Sequence, residues 1–175
     1  MGKNLGRVHV ITGPGKGKTT ASFGVALRAA GHGFKVCIIQ FMKSGMTTGE
    51  LLAAKRIHEI QIQQFGTGKF VDPKKITDDD RTCANDALEH AAALLEKGGF
   101  DVLILDEVNL AADLGLVDPK DILAMLKSRK AGIEVVLSGR NAPREFTDYA
   151  DYVSYIDNRK HPFKDGLKAR QGIEW

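Results

Sequence analysis

Short apolar runs alternate with longer, helically periodic stretches from one end of the chain to the other. Arg7–Thr12, Lys35–Phe41, Glu59–Phe65, Asp101–Asp106, Glu134–Ser138 and Tyr152–Ile156 are rich in Val and Ile and are predicted as strands. Between them stand helix signals. Thr77 and Asp80 have the spacing of a capping box. Ala84, Ala87, Leu88, Ala91 and Leu95 then recur at helical spacing, and Gly98-Gly99 closes the element. Asp118-Pro119 opens another helix, whose far end carries Lys127, Arg129 and Lys130 where the helix dipole favours cations. Strands separated by helix-length crossovers predict an α/β fold, a mostly parallel sheet with helices on both faces.

Two stretches lack a clear pattern, Met42–Glu50 and Gly66–Ile76. Both follow predicted strands and are therefore placed at the carboxyl edge of the sheet, where such proteins bind ligands. No composition break divides the 175 residues, so one domain over 1–175 is expected. Its last segment, 157–175, carries five Lys/Arg against three acids and is expected to be a tail packed near the site, the alternative being a solvated tail.

Composition changes the picture at three points. Glycine is abundant, with 19 residues of which 12 fall in the first 68 positions, so the N-terminal third holds backbone that bends tightly or approaches something closely. Two cysteines are too few for a disulfide framework and point to a cytoplasmic setting. A net charge of +3 and 7% aromatic residues argue against nucleic acid as a partner, and no apolar run approaches the ~20 residues of a membrane span.

The densest glycine cluster carries chemistry. Strand residues Val8–Ile11 run into Thr12-Gly13-Pro14-Gly15-Lys16-Gly17-Lys18-Thr19-Thr20 and then into a helical stretch ending near Ala30. Gly17-Lys18-Thr19 matches the end of the Walker A pattern, with Thr12 at its first glycine position. Gly13, Gly15 and Gly17 are expected to let backbone N–H groups approach phosphate at a helix N-terminus. Lys18 and Lys16 supply cations, and the Thr19 hydroxyl is a candidate Mg²⁺ ligand.

A second half-site follows from Val102–Leu105 running into Asp106-Glu107, the pattern of a Walker B strand, whose acids are expected to reach the metal from the strand next to the phosphate loop. Ser138-Gly139-Arg140 ends another strand on the same edge. Arg140 either reaches the nucleotide or holds its own loop; Arg28, late in the first helix, is a nucleotide contact or a surface residue. The five histidines, at 9, 32, 58, 90 and 161, show no metal-ligand spacing. Together these features predict a P-loop NTPase fold of the RecA-like kind that binds MgATP, without saying which bond breaks.

Taken along the whole chain, the motifs resemble the corrinoid adenosyltransferase family of P-loop proteins. The resemblance rests on Thr12–Thr20, Phe23-Gly24, Arg28–Gly33, Gln40–Lys43, Leu103–Glu107, Val136–Arg140 with Ala142-Pro143, and the closing Lys160-His161, Phe163, Gly166, Ala169 and Gly172–Glu174. It implies that Co(I) of a reduced corrinoid attacks C5′ of ATP and triphosphate leaves, in adenosylcobalamin biosynthesis or salvage. Lys18 and Glu107 then carry catalysis, with Thr19, Glu107 and Asp106 toward Mg²⁺. It also implies an electron-donor protein that reduces Co(II), and a homodimer. In the family, aromatic residues after the third strand help displace cobalt's lower ligand. Phe70 and Phe65 are the candidates here, Phe65 having core packing as its favoured alternative, and His161 gains weight from the tail pattern. The tryptophan of better-known relatives is missing from this loop, the one Trp being Trp175. Relatives also carry a helical extension ahead of the first strand, so the corrin cover is expected to differ here. Two rival readings stay open: a P-loop ATPase or kinase doing phosphoryl transfer, and a non-enzymatic nucleotide-gated module.

Overall fold

Each predicted strand forms, the inner ones because their alternate residues have apolar partners on two faces, and Tyr152–Tyr155 at the sheet edge by backbone pairing although all four of its residues are exposed. In the computed structural model, which describes residues 4–45, 47–162 and 166–175, the strands are β1 (Val8–Thr12), β2 (Val36–Phe41), β3 (Ile60–Phe65), β4 (Val102–Asp106), β5 (Glu134–Ser138) and β6 (Tyr152–Tyr155). They make one sheet in the order β3-β2-β4-β5-β1-β6, and every neighbouring pair is parallel. Val8, Val10, Ile39, Phe41, Leu103, Leu105, Val135 and Leu137 point to one face, while Val36, Ile38, Ile104 and Val136 point to the other.

The faces are covered unequally. Helices α1 (Lys18–Gly31) and α2 (Gly49–Ala54) pack on the second face, and α3 (Asp78–Lys97), α4 (Val108–Asp113), α5 (Pro119–Ser128) and α6 (Arg144–Tyr149) on the first. Chain direction explains the split. From β1 to β3 the chain moves toward one sheet edge; from β3 to β6 it moves back. Right-handed crossovers put helices on opposite faces when the direction reverses. Among the described residues no helix is long and apolar enough to cross a membrane.

Local signals act as expected at α3 and α5. Asp80 N–H donates to Thr77 Oγ1 while Thr77 N–H donates to Asp80 Oδ2, and Asp118 accepts from Lys120 N–H ahead of Pro119. Three short helices were not predicted. α2 takes up the end of the patternless stretch 42–50, and α4 and α6 are six residues each, too short for periodicity to show.

One expectation is corrected by the topology. The acidic strand β4 is not next to the phosphate-loop strand β1, because β5 lies between them. The carboxylate therefore reaches the loop across the end of β5. That end carries Ser138, opposite Ile11 in register, and then Gly139. A Cβ on Gly139 would stand 3.0 Å from Leu110 N, and φ there is +134°, so only glycine lets α4 pack this close.

Candidate active site

The carboxyl ends of β1, β4 and β5 and the N-terminus of α1 surround a cavity of about 380 Å³. Pro14 to Thr20 form its floor; Lys43, Thr48, Glu50, Glu107 and Arg140 form its sides; His161, Ile173, Glu174 and Trp175 close it from the C-terminal segment. Thr12 is buried at the end of β1, where its Oγ1 accepts from Ala142 N–H at 3.1 Å. Thr12 thus ends the strand and ties β1 to the turn after β5.

The glycines of the loop have two distinct causes. Gly17 sits at φ +112° with open space where a Cβ would be, and precedes α1, whose first N–H groups face the cavity. Gly13 and Gly15 are glycine for another reason. A Cβ at Gly13 would lie 2.4 Å from Ile156 O, and one at Gly15 would lie 2.4 Å from Asp157 O. Gly15 N–H donates to Ile156 O at 2.8 Å. Gly13 and Gly15 thus admit the chain leaving β6, and Gly15 and Gly17 also line the cavity.

The cations are held in place. Lys18 is buried, and its Nζ donates to Gly15 O at 2.6 Å, bracing the loop from within. Burial and then the Arg140 charge pull its pKa below the ordinary value, against the carboxylates of Glu107 and Asp106. Lys16 Nζ donates to Ile173 O at 3.2 Å and lies 3.6 Å from Glu174 Oε1, so the loop is fastened to the C-terminal segment. Glu174 is in turn held by Arg170, whose hydrogen bonds bring its pKa down to about 2. Arg28 is exposed on α1 and does not line the cavity.

Asp106 is the hub. It is fully buried and accepts four hydrogen bonds, from Thr19 Oγ1 (3.0 Å) and Ser138 Oγ (2.8 Å) at Oδ1, and from Gln40 Nε2 (3.0 Å) and Lys43 Nζ (2.8 Å) at Oδ2. Burial works to raise its pKa, and the Lys43 charge and hydrogen bond, with those of Ser138 and Gln40, overcome it and leave it lowered. Gln40 is oriented by Gln64, whose Nε2 donates to Gln40 Oε1. Sequence pattern alone points to Asp106 but not to these partners. The signal was present: Gln40 lies beside Asp106 in register, one residue in from the end of β2, and Lys43 follows shortly after that strand.

Glu107 differs from its neighbour in backbone conformation and in hydrogen bonding. It occupies a left-handed conformation (φ 65°) between β4 and α4, and its buried Oε2 has no hydrogen-bond partner among the described residues. Burial and the Asp106 charge raise its pKa. A strained turn that aims an unpaired carboxylate into a cavity beside phosphate-loop amides fits a divalent cation. Thr19 fits it too. Its hydroxyl proton is committed to Asp106, which leaves the oxygen lone pairs facing away from that carboxylate. Among the described residues no group of three His, Cys, Asp or Glu side chains gathers as a metal cage.

A second cavity of about 470 Å³ adjoins the first, lined by Phe41, Met42, Leu110, Leu114, Val71 and Phe70 among others. Lys43 and Glu107 line both. Phe70 is 92% exposed on the loop after β3, an apolar ring offered to solvent. Phe65 lies elsewhere, half-buried against the His90 ring at 5.5 Å, in the packing between β3 and α3. His161 lines the nucleotide cavity and not the apolar one; Phe163 lies outside the described residues.

Comparison with known proteins agrees with this geometry. The family described as ATP:corrinoid adenosyltransferase BtuR/CobO/CobP matches residues 4–175. A corrinoid adenosyltransferase of Sinorhizobium sp. is 36% identical over 97% of this chain and 80% of its own length. Those of Pseudomonas aeruginosa and Escherichia coli K12 are 36% and 34% identical, again over 97% of this chain and over 84% and 86% of theirs. The chain belongs to the ATP:corrinoid adenosyltransferase family, enzymes that adenosylate corrinoids at the expense of ATP.

Proposed function

We propose that this chain transfers the 5′-deoxyadenosyl group of ATP to the Co(I) centre of a corrinoid and releases triphosphate, with both substrates meeting at Lys43 and Glu107. One observation carries the reading: the phosphate-loop cavity shares Lys43 and Glu107 with a neighbouring cavity whose lining is mostly apolar. A phosphoryl acceptor needs a polar groove and a base beside the terminal phosphate. A corrin ring needs a broad apolar face beside the ribose end.

The chain's own residues do three things in this reaction. Gly17, Thr19 and Thr20 amides at the start of α1, with Lys18 and Lys16, hold and neutralise the triphosphate. Thr19 Oγ1 and Glu107 are the groups that hold Mg²⁺, with Asp106 behind Thr19 fixing its hydroxyl; the ion supplies further neutralisation of phosphate charge. Lys16 exchanges the Ile173 carbonyl and Glu174 for phosphate oxygens, which couples nucleotide binding to the segment that closes the cavity. No side-chain nucleophile or general base is needed, since reduced cobalt is itself the nucleophile. An electron-donor protein that reduces Co(II), a homodimer and a cytoplasmic setting complete the reading; the sequence resemblance implies the first two, and a chain with only two cysteines suits the third.

Incubation with MgATP and chemically reduced cobalamin tests it. The expected products are a light-sensitive Co–C corrinoid and one triphosphate per turnover. ADP and phosphate with an unchanged corrinoid would refute the reading.

A further inference from the structure

Among the described residues two stand on the border between the cavities, one acid and one cation, and only the acid belongs to a nucleotide-binding motif. The cation is Lys43. It lies just past the end of β2, and its position is over-determined. Met42 before it takes a left-handed φ of 57°. The Gly66 backbone presses on the same turn so closely that a Cβ there would stand 2.7 Å from Lys43 N and Met42 C. The side chain is about four-fifths buried, and its Nζ donates to Asp106 Oδ2 at 2.8 Å. An ammonium has three N–H groups, and this bond uses one of them.

We infer that Lys43 is a catalytic residue, the cation that stabilises the negative charge developing on the oxygen that leaves C5′. The inference rests on the adenosyl transfer proposed above. In that step the cobalt electron pair forms the Co–C5′ bond, Co(I) becoming Co(III). The C5′–O5′ bond breaks, and its electron pair goes to the α-phosphate oxygen. No proton moves. The new charge therefore appears at the corrin end of the triphosphate, on the border between the two cavities.

The loop cations are placed elsewhere. Lys18 reaches back to the Gly15 carbonyl and Lys16 to Ile173, and neither lines the apolar cavity. Arg140 lines only the nucleotide cavity and Lys69 only the apolar one. Among the described residues Lys43 is the lysine that lines both. Its bond to Asp106 also orients it: a fixed donor aimed where charge develops needs no reorganisation when the bond breaks.

Lys43→Gln tests this, because the amide keeps a donor near Asp106 while removing the cation, and Lys43→Arg restores the charge. Each variant is assayed with MgATP and pre-reduced Co(I) cobalamin, and MgATP binding is measured separately by calorimetry. The expected result for Lys43→Gln is a loss of roughly 10²-fold in kcat, with KM for ATP and the calorimetric affinity within about threefold of the parent. Lys43→Arg is expected to recover at least a tenfold part of the loss. A merely structural role predicts a different pattern, in which calorimetric affinity and thermal midpoint fall and Arg gives no rescue. That pattern overturns the inference. So does a kcat within threefold of the parent, or a loss confined to KM. A parent chain that forms no Co–C product refutes the adenosyl-transfer reading and takes this inference with it. An active parent beside an unimpaired Lys43→Gln refutes the inference alone.

Discussion

Replacing Asp106 by asparagine separates the charge of the hub from its shape. The carboxylate accepts from four donors at 2.8 to 3.0 Å. An amide must instead turn an NH₂ toward two of them. Gln40 Nε2 and Lys43 Nζ only donate, and Gln40 is held in its orientation by Gln64. The new oxygen must therefore face Gln40 and Lys43, and the new NH₂ must face the hydroxyls of Thr19 and Ser138, which can rotate to accept. Hydrogen bonds to a charged group contribute about 1.5–3 kcal/mol and neutral ones about 0.5–1.5, so the two bonds on the Lys43 side lose about 2 kcal/mol together. Relief from burying a carboxylate offsets part of that, so the net cost is expected to be about 1–2 kcal/mol. Function suffers more than stability. Once Thr19 accepts from the substituted amide, its hydroxyl proton points toward the cavity and no longer presents lone pairs there, so MgATP affinity falls at least tenfold. Urea unfolding followed by circular dichroism reads the first effect and calorimetry the second. The pH dependence fixes the sign. A carboxylate whose folded pKa is depressed contributes stability above its unfolded pKa, about 3.9. That stability is lost only as pH falls through the lower folded value. The penalty should therefore be the same at pH 5 and pH 8. A cost below 0.5 kcal/mol with unchanged MgATP affinity, or a penalty that varies across that range, would refute the reasoning.

Other substitutions probe separate parts of the site. Gly15→Ala puts a methyl 2.4 Å from a backbone oxygen that cannot move without shifting the chain beyond β6. It should cost on the order of 3 kcal/mol in unfolding experiments, and a neutral result would mean that the segment after β6 is not locked against the loop. Lys18→Ala should lower turnover by on the order of 10²-fold or more through lost charge stabilisation, measured as Co–C product from pre-reduced corrinoid; near-normal turnover would remove the loop as the triphosphate site. Phe70→Ala, at a ring already 92% exposed, should leave the unfolding midpoint unchanged and impair reaction from Co(II) more than from Co(I). Equal losses in both assays would take Phe70 out of the lower-face role.

How much of this was legible in the sequence depended on the range of the interaction. The strands, the capping box at Thr77 and the Asp118-Pro119 start are set by neighbours a few residues apart, and all could be read directly. The phosphate loop was legible as a motif. The reason for two of its glycines was not, because Gly13 and Gly15 answer to Ile156 and Asp157, more than 140 residues away. The same holds for Asp106. Apolar residues running into an acid revealed the strand, but the order β4-β5-β1 made Ser138 the bridge to the loop side, and pairing with β2 delivered Gln40 and Lys43. Phe65 shows the limit from the other side. Its place at a strand end suited a substrate contact as well as a core contact, and only the packing of α3 on β3 put it against His90.

The glycines of the loop bear on how the site is closed. A phosphate loop made solely to present amides would leave the strand beside β1 free to vary. Here Gly15 N–H is given to Ile156 O, and Lys16 is given to Ile173 O and Glu174. The segment leaving β6 is thus joined to the loop at its first turn and again at Ile173 and Glu174; His161 between those points and Trp175 just beyond them reach the cavity wall. Backbone hydrogen bonds and a 2.4 Å Cβ exclusion hold the first junction rigidly, whereas the second rests on a half-exposed lysine and a surface ion pair that solvent screens. The weaker junction is made by Lys16, whose partners phosphate oxygens can replace. On the adenosyl-transfer reading proposed above, nucleotide binding would release the end of the segment while its root stays fixed, and the cavity would admit a triphosphate without disturbing the sheet that positions Asp106.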